Sequence, residues 1–174
     1  MLKELPLIRN MSSTDVVDLY TNLENIGIKI WIDGGWAVDA LLEKETRQHS
    51  DLDIAIQRKD IIQFREYLQT QGYEEIERDE DKKWDFVLAD SKGHEIDVHS
   101  FNLDEGGLIV EKDEYPDGSL DGFGVIGGYR VRCVAPKYLI QFHTRHQPKE
   151  KDFKDVFALC EKFGIEIPEE YTSN

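Results

Sequence analysis

The chain has 174 residues, 40% of them hydrophobic, enough for one compact domain or for a core with a short helical appendage. Asp and Glu total 36 against 21 Lys and Arg, a formal charge of -15. That balance excludes long nucleic acid as an expected partner, because phosphate backbones are bound by basic surfaces; it favours a small cationic molecule, or serves solubility alone.

Cys133 and Cys160, the only cysteines, stand far apart without metal-type spacing and are expected as free thiols in a reducing compartment. Residues 1–10 hold Lys3, Glu4 and Arg9 and no apolar run of signal-peptide length. No segment approaches the roughly 20 apolar residues of a membrane span. The expectation is a cytoplasmic protein without membrane contact; the sequence leaves the oligomeric state open.

In chain order, Ser12-Ser13-Thr14-Asp15 reads as a helix start, with Val16, Val17, Leu19, Tyr20, Leu23 and Ile26 at helical spacing and Gly27 closing the helix. Residues 28–32 read as a short strand ending at Asp33. Gly34-Gly35 is expected as a tight turn opening a helix over 36–43. Leu52, Ile54 and Ile56 alternate with Asp51, Asp53 and Ala55, a strand with two unlike faces. An amphipathic helix follows over 59–71, then strands over 73–78, 84–89 and 94–101, with turns at 79–83 and 90–93. Residues 102–124, rich in Gly, Asp and Pro, are expected as a long acidic loop. A hairpin over 125–126 and 129–134 turns at Gly127-Gly128. Pro136 opens a helix to about 146, and 151–163 forms the last helix with Phe153, Val156, Phe157, Leu159 and Cys160 inward. Two parts are expected: residues 1–134 as the core and 135–174 as a helical part packed on it.

The chemistry concentrates at Gly34-Gly35 and Asp51-Leu52-Asp53. Side chains at i and i+2 of a strand share a face roughly 6.6 Å apart, so Asp51 and Asp53 project together and repel unless neutralised. A hard cation such as Mg²⁺ suits carboxylates combined with substrate phosphates. The glycines let backbone N–H groups approach a phosphate, and the following helix adds its positive end. Asp97, in an alternating Glu95-Ile96-Asp97-Val98-His99, is a third carboxylate within reach of a two-metal site and a candidate general base. Each element alone is commonplace, a turn or an exposed polar face; their order and joint occurrence are specific.

The runs Trp31-Ile32-Asp33-Gly34-Gly35-Trp36-Ala37-Val38-Asp39-Ala40 and Thr46-Arg47-Gln48-His49-Ser50-Asp51-Leu52-Asp53 resemble the small aminoglycoside and lincosamide nucleotidyltransferases of the polymerase-β-like superfamily. The segments 95–99, 131–133 and 151–155 extend the resemblance over about residues 28–160. It implies an α+β polymerase-β-like nucleotidyltransferase fold, a mixed sheet of about five strands with helices on one face and a short helical C-terminal part. It implies transfer of a nucleoside monophosphate from a nucleoside triphosphate, ATP for choice, with Mg²⁺. Asp51, Asp53 and Asp97 would be the metal ligands and Asp97 the base, with Gly34 and Gly35 at the triphosphate. The wider superfamily commonly has Gly-Ser at this turn; Gly35 departs from that and leaves the role to the backbone.

Arg47, His49, Lys149 and Lys151 are candidate phosphate contacts, each equally readable as an ordinary loop bond or a solvated face. Asp39 reads as holding the turn or pairing with Arg47, and His99 as structural. Trp31, Trp36 and Trp84 read as core; Tyr115 and Phe123 line an acceptor site or pin the loop. Seven loop acids (Asp104, Glu105, Glu111, Asp113, Glu114, Asp117, Asp121) folded over the cleft would favour a polycationic aminoglycoside over a lincosamide. The alternatives are a lincosamide enzyme, a same-fold enzyme acting on protein or RNA in a toxin–antitoxin pair, and a nucleotide-binding module without activity.

Overall fold

A computed structural model describes residues 7–77, 84–112 and 114–172. Ser12 caps the first helix, α1 (Ser13–Asn25), in a reciprocal box: its Oγ accepts from Asp15 N at 3.2 Å while Asp15 Oδ2 accepts from Ser12 N at 2.9 Å. β1 (Ile30–Ile32) leads into α2 (Gly34–Leu42), then β2 (Leu52–Gln57), α3 (Ile61–Thr70), β3 (Glu74–Ile76), β4 (Phe86–Ala89) and β5 (Glu95–Leu103). β6 (Ile109–Val110), β7 (Gly122–Ile126), β8 (Tyr129–Cys133), α4 (Pro136–His143) and α5 (Glu150–Phe163) complete the chain. No helix among the described residues is long and apolar enough to cross a membrane.

The strands form one mixed sheet in the order β3-β4-β5-β2-β1-β8-β7, with β6 pairing the end of β5. β2 runs parallel to β5 and β1 parallel to β8; the other pairs are antiparallel. Register follows the two-residue alternation. Leu52, Ile54 and Ile56 sit opposite Ile96, Val98 and Ser100, and this face is buried; Phe64 of α3 packs over Phe86 on it, ring centroids 6.4 Å apart. Asp53, Ala55 and Gln57 sit opposite Asp97, His99 and Phe101 on the other face.

The sheet is larger than the expected five strands. The stretch 102–124 is not one loop: β5 continues to Leu103, β6 returns on it, and β7 starts at Gly122. Gly122 and Gly124 signal close packing instead of a loop. A Cβ on Gly124 would stand 2.8 Å from Ala40 Cβ, so its absence lets α2 lie against β7. The glycines 34 and 35 are the first residues of α2 itself and not a turn before it. Phe157, expected inward on α5, is 41% exposed. The turn expected over 79–83 lies outside the described residues. α5 reaches α2 and α4 through polar ties as well as the core: Lys162 Nζ donates to Leu41 O at 2.7 Å, and His143 Nε2 lies 3.8 Å from Asp155 Oδ2; Tyr171, beyond α5, donates from Oη to His143 O at 2.8 Å.

Candidate active site

β1 ends at Asp33, whose Oδ1 accepts from Gly34 N at 2.7 Å and so caps α2, while Oδ2 accepts from Tyr115 Oη at 2.7 Å. Gly34 has φ +55, and a Cβ there would stand 2.8 Å from Asp53 Cγ. Only glycine takes that backbone at low cost and leaves room for the carboxylate. The start of α2 is thereby pressed against Asp53 on β2.

Parallel pairing brings Asp97 beside Asp53, on the same face. Among the described residues, ligand atoms of Asp53, Asp97 and His99 lie within 4.8 Å of one another, as do those of Asp85, His99 and Glu114. Asp51 belongs to neither group but acts on Asp53 through its charge. Burial, then the charges of Asp51, Asp33 and Asp97, push the Asp53 carboxyl up to about 7, against a smaller opposing effect of His99. Burial alone would lower His99. The hydrogen bond to Asp85 and the charges of Asp97, Asp33 and Asp53 outweigh it and hold the imidazole up to about 9. Its Nε2 is 3.6 Å from Asp97 Oδ1 and its Nδ1 3.5 Å from Asp85 Oδ2. Acidic oxygens crowded enough to raise Asp53 this far match the donor set of a hard divalent cation.

A cavity of about 960 Å³ opens above this floor. Gly34, Gly35, Arg47, Asp53 and Lys151 line it, and so do His99 and Tyr115. Tyr115 both lines the cavity and pins its loop through Asp33. His49 does not line it: 6% exposed, it is bonded to Asp39 and packed on Trp36. Asp39 pairs with His49 and Thr46, not with Arg47, which instead binds Asp155 at 3.1 Å. Trp36 is core; Phe123, 50% exposed on β7, lies under Arg130 away from the cavity. Of the described loop acids only Glu114 lines the cavity. Glu111 pairs with Arg58 at 2.7 Å, Asp117 with Lys112, and Asp104 accepts from Gly106 N and Leu108 N. Asp113 lies outside the described residues.

Sequence reasoning missed Asp33, His143, Asp152 and Asp155 as cavity residues. Asp33 had a local signal, an acid ending a strand directly before two glycines. Asp155 had no signal beyond its place in the 151–155 segment, since its partner Arg47 is 108 residues away.

The family model described as aminoglycoside-2''-adenylyltransferase matches residues 15–159. The chain belongs to the aminoglycoside-2''-adenylyltransferase family. As a member of this family it is an enzyme, an antibiotic nucleotidyltransferase. A lincosamide resistance protein of Staphylococcus haemolyticus is 27% identical over 154 residues, covering 83% of this chain and 89% of that protein. Two solved structures share the polymerase-β-like nucleotidyltransferase fold. The lincomycin-bound lincosamide antibiotic adenylyltransferase LnuA superposes with a TM-score of 0.76 at 21% identity, over 90% of this chain and 99% of that one. The enzyme ANT(2")-Ia in complex with adenylyl-2"-tobramycin superposes with 0.73 at 22% identity, over 87% and 89%.

Proposed function

We propose that this family member transfers the nucleoside monophosphate of ATP, with Mg²⁺, to a hydroxyl of a lincosamide-type antibiotic in the cytoplasm. The observation that carries the nucleotidyl-transfer reading is the pair Asp53 and Asp97, side by side on β2 and β5, with Asp53 lining a cavity rimmed by the Gly34–Gly35 start of α2. Asp51, Asp53 and Asp97 would hold the metal, which when bound neutralises the phosphates and the developing charge. The start of α2 at Gly34 and Gly35, through the Gly35 N–H, with Arg47 and Lys151, holds the triphosphate, the Gly34 N–H being donated to Asp33. Asp97 takes the proton of the acceptor hydroxyl, whose oxygen forms a bond to the α-phosphorus as the bond to pyrophosphate breaks.

The acceptor reading rests on charge. A polycation would be drawn by a loop of acids turned to the cleft, whereas this loop, among its described acids, directs Glu114 alone to the cavity and ties Glu111, Asp117 and Asp104 to partners of its own. One carboxylate matches one amine, as in a lincosamide, and the relative of Staphylococcus haemolyticus agrees. The second reading, an aminoglycoside acceptor, is favoured by the family description and by the further wall acids Asp33, Asp152 and Asp155. Incubation with ATP and Mg²⁺ against both antibiotic classes, read by mass spectrometry for a nucleoside-monophosphate adduct, tests this. An adduct on aminoglycosides only would replace the acceptor; no adduct and no pyrophosphate release with any acceptor would overturn the function.

A further inference from the structure

Behind the start of α2 lies a buried chain of polar contacts. Asp39, one turn into the helix and 2% exposed, accepts from His49 Nε2 at 2.6 Å and from Thr46 at Oγ1 (2.6 Å) and N (3.1 Å). The His49 ring packs on Trp36, centroids 4.4 Å apart. Its other nitrogen, Nδ1, faces Arg47 Nη1 at 3.5 Å, and Arg47 Nη2 donates to Asp155 Oδ2 at 3.1 Å. A Cβ on residue 35 would stand 2.7 Å from His49 Nδ1 and 2.8 Å from Arg47 Nη2. The guanidinium therefore rests in the space that a side chain at 35 would fill, directly over the first turn of α2. Of Asp39, His49 and Arg47, only Arg47 lines the cavity. It also lines a neighbouring hollow of about 570 Å³, with Lys149, Lys151 and Lys154.

We propose that Asp39 and His49 are positioning residues for the nucleotide: they hold Arg47 over Gly35, where its remaining N–H groups meet the triphosphate. The inference rests on the triphosphate lying at the start of α2. A buried carboxylate needs donors, and Asp39 has three. Those bonds would suffice merely to close the loop onto α2. What they add is orientation. The proton donated at Nε2 leaves Nδ1 as an acceptor, because the hydrogen bond at one ring nitrogen sets the state of the other. A lone pair then faces a guanidinium N–H, and Arg47 is clamped between Nδ1 and Asp155. Rigid placement matters here because a guanidinium binds phosphate best in a fixed planar geometry.

Asp39→Asn separates orientation from mere packing. An asparagine keeps a carbonyl oxygen where His49 Nε2 and Thr46 N both donate but loses the charge that strengthens those bonds, so the ring and Arg47 are held less firmly. The readout is the Kd of a non-hydrolysable ATP analogue with Mg²⁺, by calorimetry, together with kinetics at saturating nucleotide. Arg47→Ala is expected to weaken binding 10- to 100-fold, the range of a hydrogen bond to a charged group. Asp39→Asn should weaken it about tenfold, with kcat within threefold and the acceptor KM unchanged. The double variant should bind no worse than Arg47→Ala, since Asp39 acts through Arg47. His49→Gln keeps an amide at the Nε2 position with nothing at Nδ1. It should weaken binding by the same tenfold, and it carries the test if Asp39→Asn does not fold. Losses that add in the double variant, or an unchanged Kd in the single ones, overturn the inference. An analogue that binds the wild type and Arg47→Ala equally overturns it while leaving nucleotidyl transfer intact. No binding by the wild type would instead bring down the transfer reading, and this inference with it.

Discussion

Gly34 and Asp53 occupy one another's space: a Cβ on residue 34 would stand 2.8 Å from Asp53 Cγ, at a backbone φ of +55 that L side chains rarely adopt. The cavity floor thus depends on a missing side chain. Gly34→Ala should displace Asp53 and reduce kcat/KM by more than 100-fold, on the scale of a misplaced catalytic group. The left-handed backbone adds about 1–2 kcal/mol of destabilisation. Kinetics and thermal unfolding of the purified variant check both; near-normal kcat/KM would mean that the start of α2 has no part in catalysis.

Asp53 links pH to stability. Its folded value is pushed up to about 7 against 3.8 in the unfolded chain. Below 3.8 both states keep the proton. As pH rises from there through 7, the unfolded chain releases it while the folded protein does not, so stability is lost across that window. Asp53→Asn removes the effect. Without metal, this variant should be the more stable protein at pH 8, by up to about 4 kcal/mol, and should converge on the wild type near pH 4. Mg²⁺ should then raise the unfolding midpoint of the wild type more than that of the variant, which keeps Asp51 and Asp97. Denaturant titrations in EDTA at both pH values decide it; parallel stabilities would refute the crowding.

Asp97→Asn separates binding from chemistry. Nucleotide affinity should change by no more than a few-fold, because Asp51 and Asp53 remain. Transfer should slow by about 10²–10⁴-fold, the usual cost of losing a general base. A rate close to wild type in single-turnover measurements would move the base to another group.

Tyr115→Phe removes one buried bond, the 2.7 Å contact to Asp33 that ties the loop to the site. The expected stability loss is about 1 kcal/mol. Glu114, one residue away, should lose its fixed place, so the acceptor KM should rise several-fold while kcat stays within threefold. An unchanged acceptor KM would show that the tie does not shape the acceptor side.

Salt reports on the acceptor. With only Glu114 of the described loop acids on the cavity wall, the acceptor KM should change little between low salt and 0.15 M KCl, where screening acts over about 8 Å. A steep rise would mean that a polycation is being drawn by the loop, in favour of the aminoglycoside reading.

The sequence by itself determined the elements whose signals are local. The capping box at Ser12 and Asp15, the two-faced strand at Leu52–Gln57, the Gly127-Gly128 hairpin and the three carboxylates all depend on neighbours within a few residues. Tertiary structure decided what depends on distant partners. The register of β2 on β5 puts Asp97 beside Asp53, and no local pattern states which strand pairs with which. Arg47 meets Asp155 across 108 residues, which turns a candidate phosphate ligand into a clamped one. His49 reads in sequence as a site residue, but the carboxylate one turn into α2 and the Trp36 ring hold it behind the wall. Gly122 and Gly124 read as loop because glycine weakens a strand, yet here the missing side chains let α2 and the backbone after β8 pack closely. The acidic loop shows the same limit: composition counts charges, whereas only the folded chain says that Glu111 and Asp117 face their own cations and Glu114 faces the cavity.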